Sequence, residues 1–257
     1  MASENELRRV RPRLFGLIDE ALIRRVDIER PEPALIERYR ALKDLCSTVA
    51  DALDDVGAGA TIAGSSLIPR CGTARIVGPA VTIRYAREGA TAGTHIARAE
   101  RARLADRDLY GVAEAGDVAV FDCGGAADAS VMGGLSATWA SRCAIAGCVV
   151  DGAIRDVETI HHLGLPVWSR AITPRTGKHR MQALEINAAA LLDGCVVEPG
   201  DLVVADASGV CIVPAAQIAP VLAICEQAHA TERAVLDAMA RAGSPAEMTA
   251  IYPAERW

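Results

Sequence analysis

Segments typical of strands and of helices alternate between Gly116 and Ser169, and this alternation restricts the fold more than any other feature of the sequence. The predicted strands are 118–122, 144–151 and 166–169, and the predicted helices that separate them are 135–142 and 157–163. Successive strands that are joined by helices usually pair in parallel. The middle of the chain therefore predicts an α/β protein with a largely parallel central sheet.

The segments on either side extend this prediction. Further predicted elements are helices over 34–56, 95–104 and 215–241, and strands over 76–85, 195–197, 202–205 and 210–213. Gly78-Pro79 lies inside one of these strands, which therefore contains a bulge or begins late. The turn residues 199–201 and 206–209 separate the last three strands and predict hairpins.

Together these elements predict a single-domain layered α/β sandwich with a largely parallel central sheet, additional short β-hairpins and a long C-terminal helix. Residues 1–33 are rich in Arg and Glu, which favours an N-terminal arm or a peripheral helix. Arms of this kind often pack on a neighbouring subunit. No linker or internal repeat interrupts residues 34–257, so we expect one domain there.

The composition narrows the possible partners. Hydrophobic residues make up 51% of the chain and aromatic residues only 4%, so the core is aliphatic and a surface of stacked aromatics for single-stranded nucleic acid is not expected. The net charge of -6 disfavours duplex phosphates and anionic membranes as main partners. We therefore expect no nucleic-acid partner and no membrane partner.

Cysteine spacing and the N-terminal sequence indicate a cytoplasmic location. The cysteines stand singly, without a C-x-x-C pair or a zinc-site spacing, and most lie in apolar runs that favour buried, reduced thiols over a reactive cysteine. Residues 1–13 are charged and lack the apolar run of a signal peptide, and no later stretch is long enough to span a bilayer. The cysteines are Cys46, Cys71, Cys123, Cys143, Cys148, Cys195, Cys211 and Cys225.

The residues with the clearest chemistry lie at a predicted helix start and at the end of the following strand. Gly133-Gly134 allows backbone amides to approach an anion at the helix N-terminus, where the helix dipole favours negative charge. Arg155 can grip carboxylate or keto oxygens, and Asp156 can ligate a hard cation. Each motif alone is more often a tight turn or a surface ion pair, so their combination is the informative feature.

That combination resembles the 4-hydroxy-4-methyl-2-oxoglutarate aldolases and the similar regulators of ribonuclease activity A. The resemblance rests on the G-x-L segment at Gly133 followed by the strand GCVVDGAIRD at 147–156. Further matches are VGPAVT at 77–82, GDVAV at 116–120, LGLPV at 163–167, PGDLV at 199–203 and GVCIVP at 209–214. It extends from Cys46 to the long C-terminal helix.

The resemblance implies a role for each matching residue. The backbone amides of Gly133, Gly134, Leu135 and Ser136 would hold the substrate carboxylate. Arg155 would contact the keto oxygen, and Asp156 would be the direct protein ligand of Mg²⁺ or Mn²⁺, with water in the other positions. Glu232, from a neighbouring subunit, would be the counterpart of the family's additional acid. The resemblance also implies a homotrimer or a homohexamer.

The chain departs from the aldolase pattern at Gly134, where the aldolases carry Asp or Glu. That acid organises water at the metal, so its replacement leaves substrate binding intact but weakens the case for a base in aldol cleavage. Asp122 and Asp128 could substitute for the missing acid, although strand-end and turn carboxylates are the more common interpretation of both.

A basic loop over 173–180 follows, and together with Arg170 it could receive a second substrate carboxylate or simply form a solvated surface. The loop lacks the glycine spacing of a phosphate-binding P-loop. His95, His161 and His162 lie on predicted helices without a partner at ligand spacing, which favours packing or solvent-facing roles over catalysis.

The sequence therefore predicts a divalent-metal-dependent carbon–carbon lyase that acts on small α-keto acids. The reaction would be aldol cleavage of 4-hydroxy-2-oxo acids to pyruvate, decarboxylation of oxaloacetate, or both. Decarboxylation needs no base to deprotonate a hydroxyl, so Gly134 affects it less. The rival hypothesis is a protein-binding regulator without turnover, which the family also includes and which the glycine makes more credible.

Overall fold

The structure is a computed structural model that describes residues 1–70 and 75–253. Its α-helices are α1 (Glu4–Val10), α2 (Pro33–Ala41), α3 (Leu45–Val56), α4 (Ala92–Ala97), α5 (Asp106–Val112), α6 (Gly134–Arg142), α7 (Val157–Leu163), α8 (Ile218–Met239) and α9 (Pro245–Ile251). Its strands are β1 (Ala60–Ala63), β2 (Ile68–Pro69), β3 (Ile76–Arg87), β4 (Val118–Met132), β5 (Gly147–Ile154), β6 (Val167–Ile172), β7 (Met181–Ile186), β8 (Ala190–Leu192), β9 (Cys195–Val197), β10 (Leu202–Asp206) and β11 (Gly209–Val213).

One mixed sheet organises the described residues, with strand order β1-β11-β10-β3-β4-β5-β6-β2 and β7 paired to β3. The central strands β3, β4, β5 and β6 are parallel, and the outer strands join antiparallel. The predicted fold class is confirmed: a layered α/β protein with a largely parallel central sheet, short hairpins and the long helix α8. Within the described ranges, no helix combines the length and the apolarity that a membrane crossing requires.

Alternating side chains of the buried strands divide the core between the two faces of the sheet. In β4, Ala119 and Phe121 face one apolar cluster with α5, α6 and α7, whereas Val118 and Val120 face another with Trp168. A third cluster lies where α2, α3 and α8 cover β10 and β11. Helices therefore cover the sheet at two of these clusters, whereas the cluster around Trp168 is built from strand and loop residues, including β8 and β9.

Residues 1–33 contribute to the first of these clusters. Leu7, Val10, Ile23 and Val26 are buried there, and the Arg24 amide donates to the Ile186 carbonyl at 2.8 Å. The division into an arm over 1–33 and a domain over 34–257 stays a prediction.

The single helix predicted over 34–56 is wrong, because the chain forms α2 and α3 with a break between them. Asp44 adopts a left-handed backbone with φ 39°. The Cys46 amide, in the first turn of α3, donates to the Asp206 carboxylate of β10 at 3.0 Å. A side chain distant in sequence therefore stabilises a helix start that local periodicity does not reveal.

The helix predicted over 95–104 is also wrong. The Thr91 hydroxyl accepts from the Thr94 amide and starts α4 at Ala92. Ala99 then adopts a left-handed backbone with φ 52°, and the Glu100 amide donates to the His95 carbonyl at 3.0 Å. The helix therefore ends after Ala97, and the next helix is α5.

Other boundaries differ by a few residues. Ala144 has φ 55°, so β5 starts at Gly147 rather than Ala144. The 3₁₀ turn Ala215–Gln217 precedes α8. The predicted hairpin of β10 and β11 is confirmed, whereas β9 pairs with β8. β7, which follows the basic loop, has no counterpart among the predicted strands.

The cysteines at the described positions are free thiols, and most of them are buried, as predicted. Burial raises the pKa of Cys123 and Cys148, the latter to about 12, which keeps both thiols protonated and unreactive near neutral pH. Cys71 lies outside the described residues.

Candidate functional site

The candidate site is located where β4 and β5 end. β4 leaves regular register with β5 after Asp122, with irregularities that end at the pair Met132 and Ile154. The Arg155 amide then donates to the Met132 carbonyl at 3.0 Å. The strand ends thus set the start of α6 beside Arg155 and Asp156, as the sequence predicts for the carboxyl ends of parallel strands.

Gly133 is the N-cap of α6 and is a glycine because two side chains approach its backbone closely. A Cβ at this position would lie 2.6 Å from Asp156 Oδ2 and 3.0 Å from Arg155 Cγ. The backbone of Gly133 is extended, with φ -147° and ψ -167°, so any residue could adopt it. The absence of a side chain at Gly133, rather than its conformation, is therefore what the site requires.

The Asp156 carboxylate connects two helix starts, because Asp156 precedes α7 and its side chain contacts the first residue of α6. Asp156 has a left-handed backbone, with φ 55° and ψ 42°, and its carboxylate does not cap its own helix. Instead Oδ2 accepts from the Gly134 amide at 2.9 Å. An Asp tolerates this backbone better than most residues. The negative charge lies at the positive end of α6 and is stabilised there.

The Arg155 guanidinium lies beside the Asp156 carboxylate and is the third component of the candidate site. Its Nε lies 3.5 Å from Asp156 Oδ2, and its side chain is 38% exposed. At the described positions the guanidinium has no other polar partner, so its remaining donors face solvent. A carboxylate or keto oxygen can reach them without first breaking a buried ion pair.

Leu135 and Ser136 differ in how they contribute to the start of α6. The Leu135 side chain is exposed. The Ser136 side chain is buried, and its Oγ lies 3.0 Å from the Tyr110 hydroxyl. Asp106 also hydrogen-bonds Ser136, and burial raises the pKa of this Asp106 carboxyl. The side chains of these two residues therefore do not join the site, and only their backbone amides can do so. Of the four amides that the resemblance assigns to the substrate, that of Gly134 already donates to Asp156.

Sequence reasoning missed two supports of this site. The Thr159 side chain lies beneath Gly134, where an added Cβ would be 3.1 Å from Thr159 Cγ2. The buried Tyr110 and Asp106 fix Ser136 from below. The helical spacing of Thr159 from Asp156 points toward α6, but nothing in the sequence links α5 to Ser136.

Glu232 does not join the site within one chain. It lies on α8 and lines a groove of about 990 Å³ between α3 and α8. Among the residues that the structure describes, no three His, Cys, Asp or Glu side chains are grouped to hold a metal.

The two alternative carboxylates have structural partners. Asp122 Oδ1 accepts from the Gly124 amide at 3.1 Å, and its Oδ2 accepts from the Leu191 amide at 3.0 Å. Asp128 forms an ion pair with Arg87. Asp122 and Asp128 therefore have the structural roles, at a strand end and in a turn, that are the more common interpretation of the sequence. Neither contacts Asp156.

Arg170 is not free to bind a substrate carboxylate. Its Nε donates to Asp151 at 2.6 Å, and its Nη2 donates to Asp193 at 2.6 Å. These hydrogen bonds, with Asp193 first, raise the pKa of Arg170. The suggestion that Arg170 joins the basic loop over 173–180 in substrate binding is therefore corrected.

The histidines have the packing and surface roles predicted for them. His161 Nε2 contacts the Arg70 carbonyl, and His162 Nδ1 contacts the Glu158 carbonyl at 2.7 Å. His95 is buried beside Glu100. None of the three contacts Arg155 or Asp156.

The fold and the site define an α/β protein with a glycine-rich helix start beside an Arg-Asp pair. Residues 46–212 match the RraA-like family, described as Aldolase/RraA. The chain therefore belongs to the RraA-like family, and the family expected from its motifs is confirmed.

Known proteins of several bacteria resemble the chain. It is 31% identical over 207 residues to a protein of Halalkalibacterium halodurans named "Putative 4-hydroxy-4-methyl-2-oxoglutarate aldolase", an alignment that spans 80% of this chain and 89% of the relative. A solved structure from Pseudomonas syringae pv. tomato, of an uncharacterized protein, gives a TM-score of 0.71 at 24% identity and covers 88% of this chain and 97% of that one.

Streptomyces coelicolor RraAS2, described as an unusual member of the RNase ES inhibitor RraA protein family, gives a TM-score of 0.67 at 24% identity. That match covers 80% of this chain and 98% of the other. At these identities the two solved structures support the fold alone.

Proposed function

We propose that this chain is a divalent-metal-dependent carbon–carbon lyase that acts on small α-keto acids. The reaction is aldol cleavage of 4-hydroxy-2-oxo acids to pyruvate, decarboxylation of oxaloacetate, or both. The main support is the convergence of the Gly134 amide and the Arg155 guanidinium on the Asp156 carboxylate at the start of α6. The name of the Halalkalibacterium relative supports the lyase class.

The start of α6 would hold the substrate carboxylate. The Gly134 amide donates to Asp156. The next two amides, of Leu135 and Ser136, have no acceptor in the part of the chain that the structure describes. Unpaired amides at a helix N-terminus bind anions because each donates a hydrogen bond along the helix dipole. A carboxylate there would extend the keto group toward Arg155.

Arg155 would stabilise the charge that develops on the keto oxygen. Both reactions leave the electrons of the broken carbon–carbon bond on a pyruvate enolate, so negative charge grows on that oxygen. A guanidinium already in place lowers the barrier because it need not reorganise during the reaction. Its planar fork also fixes the orientation of the oxygen.

Asp156 fits a hard divalent cation. Its Oδ2 accepts from Gly134, whereas Oδ1 has no hydrogen-bond partner among the described residues, and the side chain is 44% exposed. Mg²⁺ keeps several waters and often binds through one or two carboxylates, so Asp156 would hold Mg²⁺ or Mn²⁺ mainly with water. Such a cation would supply Lewis-acid polarisation of the keto oxygen.

Gly134 favours decarboxylation over aldol cleavage. In aldol cleavage the C4 hydroxyl must lose its proton, and Gly134 supplies no carboxylate for that purpose. In decarboxylation of oxaloacetate, carbon dioxide leaves and no hydroxyl proton is transferred. The chain's own residues therefore suffice more readily for the second reaction.

Glu232 would act only across a subunit interface. We propose a homotrimer or homohexamer in which Glu232 of the partner subunit reaches the Asp156 site. Light scattering should give the mass of three or six chains, and Glu232→Gln should lower turnover without changing that mass. An active monomer at high dilution would contradict a shared site.

The alternative function is a protein-binding regulator without turnover, which the lack of an acid at Gly134 favours. Release of pyruvate from 4-hydroxy-2-oxoglutarate and from oxaloacetate, with Mg²⁺ and with a chelator, separates the two functions. We expect release that requires the cation. No release from any 4-hydroxy-2-oxo acid or oxaloacetate would favour the regulator.

A further inference from the structure

A second cavity, of about 430 Å³, lies between the segments 87–93 and 175–180. It is formed by the chain that follows β3 and by the basic loop that precedes β7. Its charged and titratable lining residues are Arg87, Glu88, Asp128, Arg175, His179 and Arg180. We call it the 87–180 cavity.

One of its two acids is already neutralised. The Glu88 side chain is only 2% exposed, and the Arg103 Nε donates to Glu88 Oε1 at 3.0 Å. Arg103 does not line the cavity and binds Glu88 from outside it. Glu88 therefore contributes little free negative charge to the 87–180 cavity, and Asp128 is the acid that remains.

The single negative charge of Asp128 lies beside two arginines, Arg87 and Arg175. Arg87 donates to Asp128 Oδ1 at 2.5 Å and to Oδ2 at 3.3 Å. Arg175 Nη1 is 4.0 Å from Oδ2, which is too far for a hydrogen bond. The hydrogen bond from Arg87 lowers the pKa of Asp128, so this carboxylate stays charged near neutral pH. The cavity nevertheless keeps an excess of positive charge.

Arg175 and Arg180 line the cavity without a hydrogen-bonded acid partner among the described residues. Over the described residues, the Arg175 guanidinium has no contact closer than that with Asp128. Arg180 Nη1 donates to the Thr176 and Lys178 carbonyls, at 3.2 and 3.4 Å, which fixes the loop rather than neutralising the charge. Behind His179, the ring of His95 stacks at 6.0 Å, and its buried Nε2 makes no hydrogen bond to the described residues but lies 3.7 Å from Glu88 Oε2.

The 87–180 cavity adjoins the strand ends that carry the Arg155-Asp156 site. The Thr173 amide donates to the Ile154 carbonyl at 3.0 Å, one residue before Arg155. The Ser130 amide, on β4, donates to the Arg175 carbonyl at 2.9 Å. Two residues span at most about 7 Å, so the Arg175 backbone lies within about 7 Å of Thr173.

We propose that the 87–180 cavity is an anion-binding site that takes a carboxylate or phosphate group, with Arg175 and Arg87 as its donors. The anion is either a second carboxylate on the α-keto acid, in which case the assignment rests on the proposed function, or a separate anion. In both cases the negative charge of the ligand neutralises the positive charge of the cavity that Asp128 alone leaves unbalanced.

The test is titration of the whole protein with inorganic phosphate by calorimetry, without divalent cation. Arg175→Gln should weaken phosphate binding about tenfold, the lower end for a hydrogen bond to a charged group at a partly exposed site. Asp128→Asn should strengthen it severalfold, because the phosphate no longer meets a like charge. Arg8→Gln is the matched control, since Arg8 on α1 is 73% exposed and, over the described part of the chain, pairs only with Glu4.

The two substitutions should change the phosphate affinity in opposite directions, and this difference distinguishes a binding site from a structural role. A general loss of structure would weaken binding in both Arg175→Gln and Asp128→Asn. Equal phosphate affinity in the wild type, Arg175→Gln and Asp128→Asn would overturn the proposal. This titration needs no turnover, so it stands whether or not the lyase assignment does.

A pair of substrates then identifies the source of the anion. 4-Hydroxy-2-oxoglutarate and 4-hydroxy-2-oxopentanoate differ in a carboxylate that replaces a methyl group, and both release pyruvate. If the anion is the second substrate carboxylate, Arg175→Gln lowers kcat/KM about tenfold for the first compound and leaves the second unchanged. If the anion is separate, the ratio of the two kcat/KM values stays constant while phosphate affinity still changes.

Discussion

Gly133→Ala should disable the site while leaving the fold intact. The new Cβ would lie 2.6 Å from Asp156 Oδ2, whereas ordinary van der Waals contacts begin at 3.4 Å, so the carboxylate must retreat by about 0.8 Å. The Arg155 side chain, 3.0 Å from the same point at Cγ, must move as well. A misplacement of about 1 Å can cost about 10²-fold in rate, and we expect a loss of that size in kcat.

The cost in stability should be small by comparison. The Gly133 backbone is extended and accepts an alanine without strain, so the main loss is the hydrogen bond from Gly134 to Asp156. A hydrogen bond of this kind contributes about 1 kcal/mol when part of the site is exposed. For a chain of this size that loss lowers Tm by about 3 °C.

The assay is cation-dependent pyruvate release, measured beside thermal unfolding. Gly243→Ala is the matched control, because a Cβ there meets only the end of the Glu247 side chain at 3.5 Å, an ordinary contact, and its φ lies outside the left-handed region. Gly133→Ala with turnover within twofold of the wild type would refute the idea that Asp156 and Arg155 must occupy their observed positions.

Three further predictions concern single side chains. Arg155→Lys should lower kcat by about 10²-fold, because an ammonium cannot reproduce the planar fork; near-normal turnover would remove Arg155 as the enolate partner. Gly134→Asp should raise aldol cleavage relative to oxaloacetate decarboxylation by up to about 10²-fold, the lower end for a general base. A folded, metal-binding Gly134→Asp variant that cleaves no 4-hydroxy-2-oxo acid would exclude a weakened aldolase. The hydrogen bond from the Ser3 hydroxyl lowers the pKa of Glu6 from 4.5 to about 2. The ionised Glu6 therefore stabilises the N-terminal helix fully above pH 4.5, and this stabilisation is lost as the pH falls toward 2. An NMR titration of Glu6 with a midpoint near 4.5 would contradict the capping contact.

The structure makes the Gly134→Asp experiment more informative than the sequence alone suggests. Gly134 lies at the first helical position of α6 and is not among the glycines with positive φ, so an Asp there is not strained by its backbone. The obstacle is Thr159, whose side-chain atoms lie 3.1 to 3.3 Å from the added Cβ. Thr159→Ala combined with Gly134→Asp removes that obstacle.

The sequence predicts the parts of the fold that depend on local periodicity. The helix over 157–163 and the parallel strands around it follow from alternating apolar segments, and α7 (Val157–Leu163) matches that prediction. The proximity of Gly133 to Asp156 also follows, because the carboxyl ends of neighbouring parallel strands lie at one edge of the sheet.

The remaining features depend on contacts between distant residues. The break before α3 requires the Asp206 carboxylate, and the hydrogen bond from Gly134 to Asp156 requires a left-handed Asp156. Neither has a local sequence pattern, since Asp is common at both helix starts and turns. For the same reason the pairing of Arg170 with Asp151 and Asp193 appears only in the folded chain.

Calorimetric titration of Mn²⁺ into the wild type and Asp156→Asn tests the central claim most directly. Asn tolerates the left-handed backbone of Asp156 and can still accept from Gly134, so the substitution removes mainly the charge. Asp54→Asn, at an exposed position on α3, is the control. We predict that wild type and control bind Mn²⁺ and release pyruvate only with it, and that Asp156→Asn does neither. Equal Mn²⁺ affinity in all three proteins would contradict Asp156 as the metal ligand and the lyase function built on it.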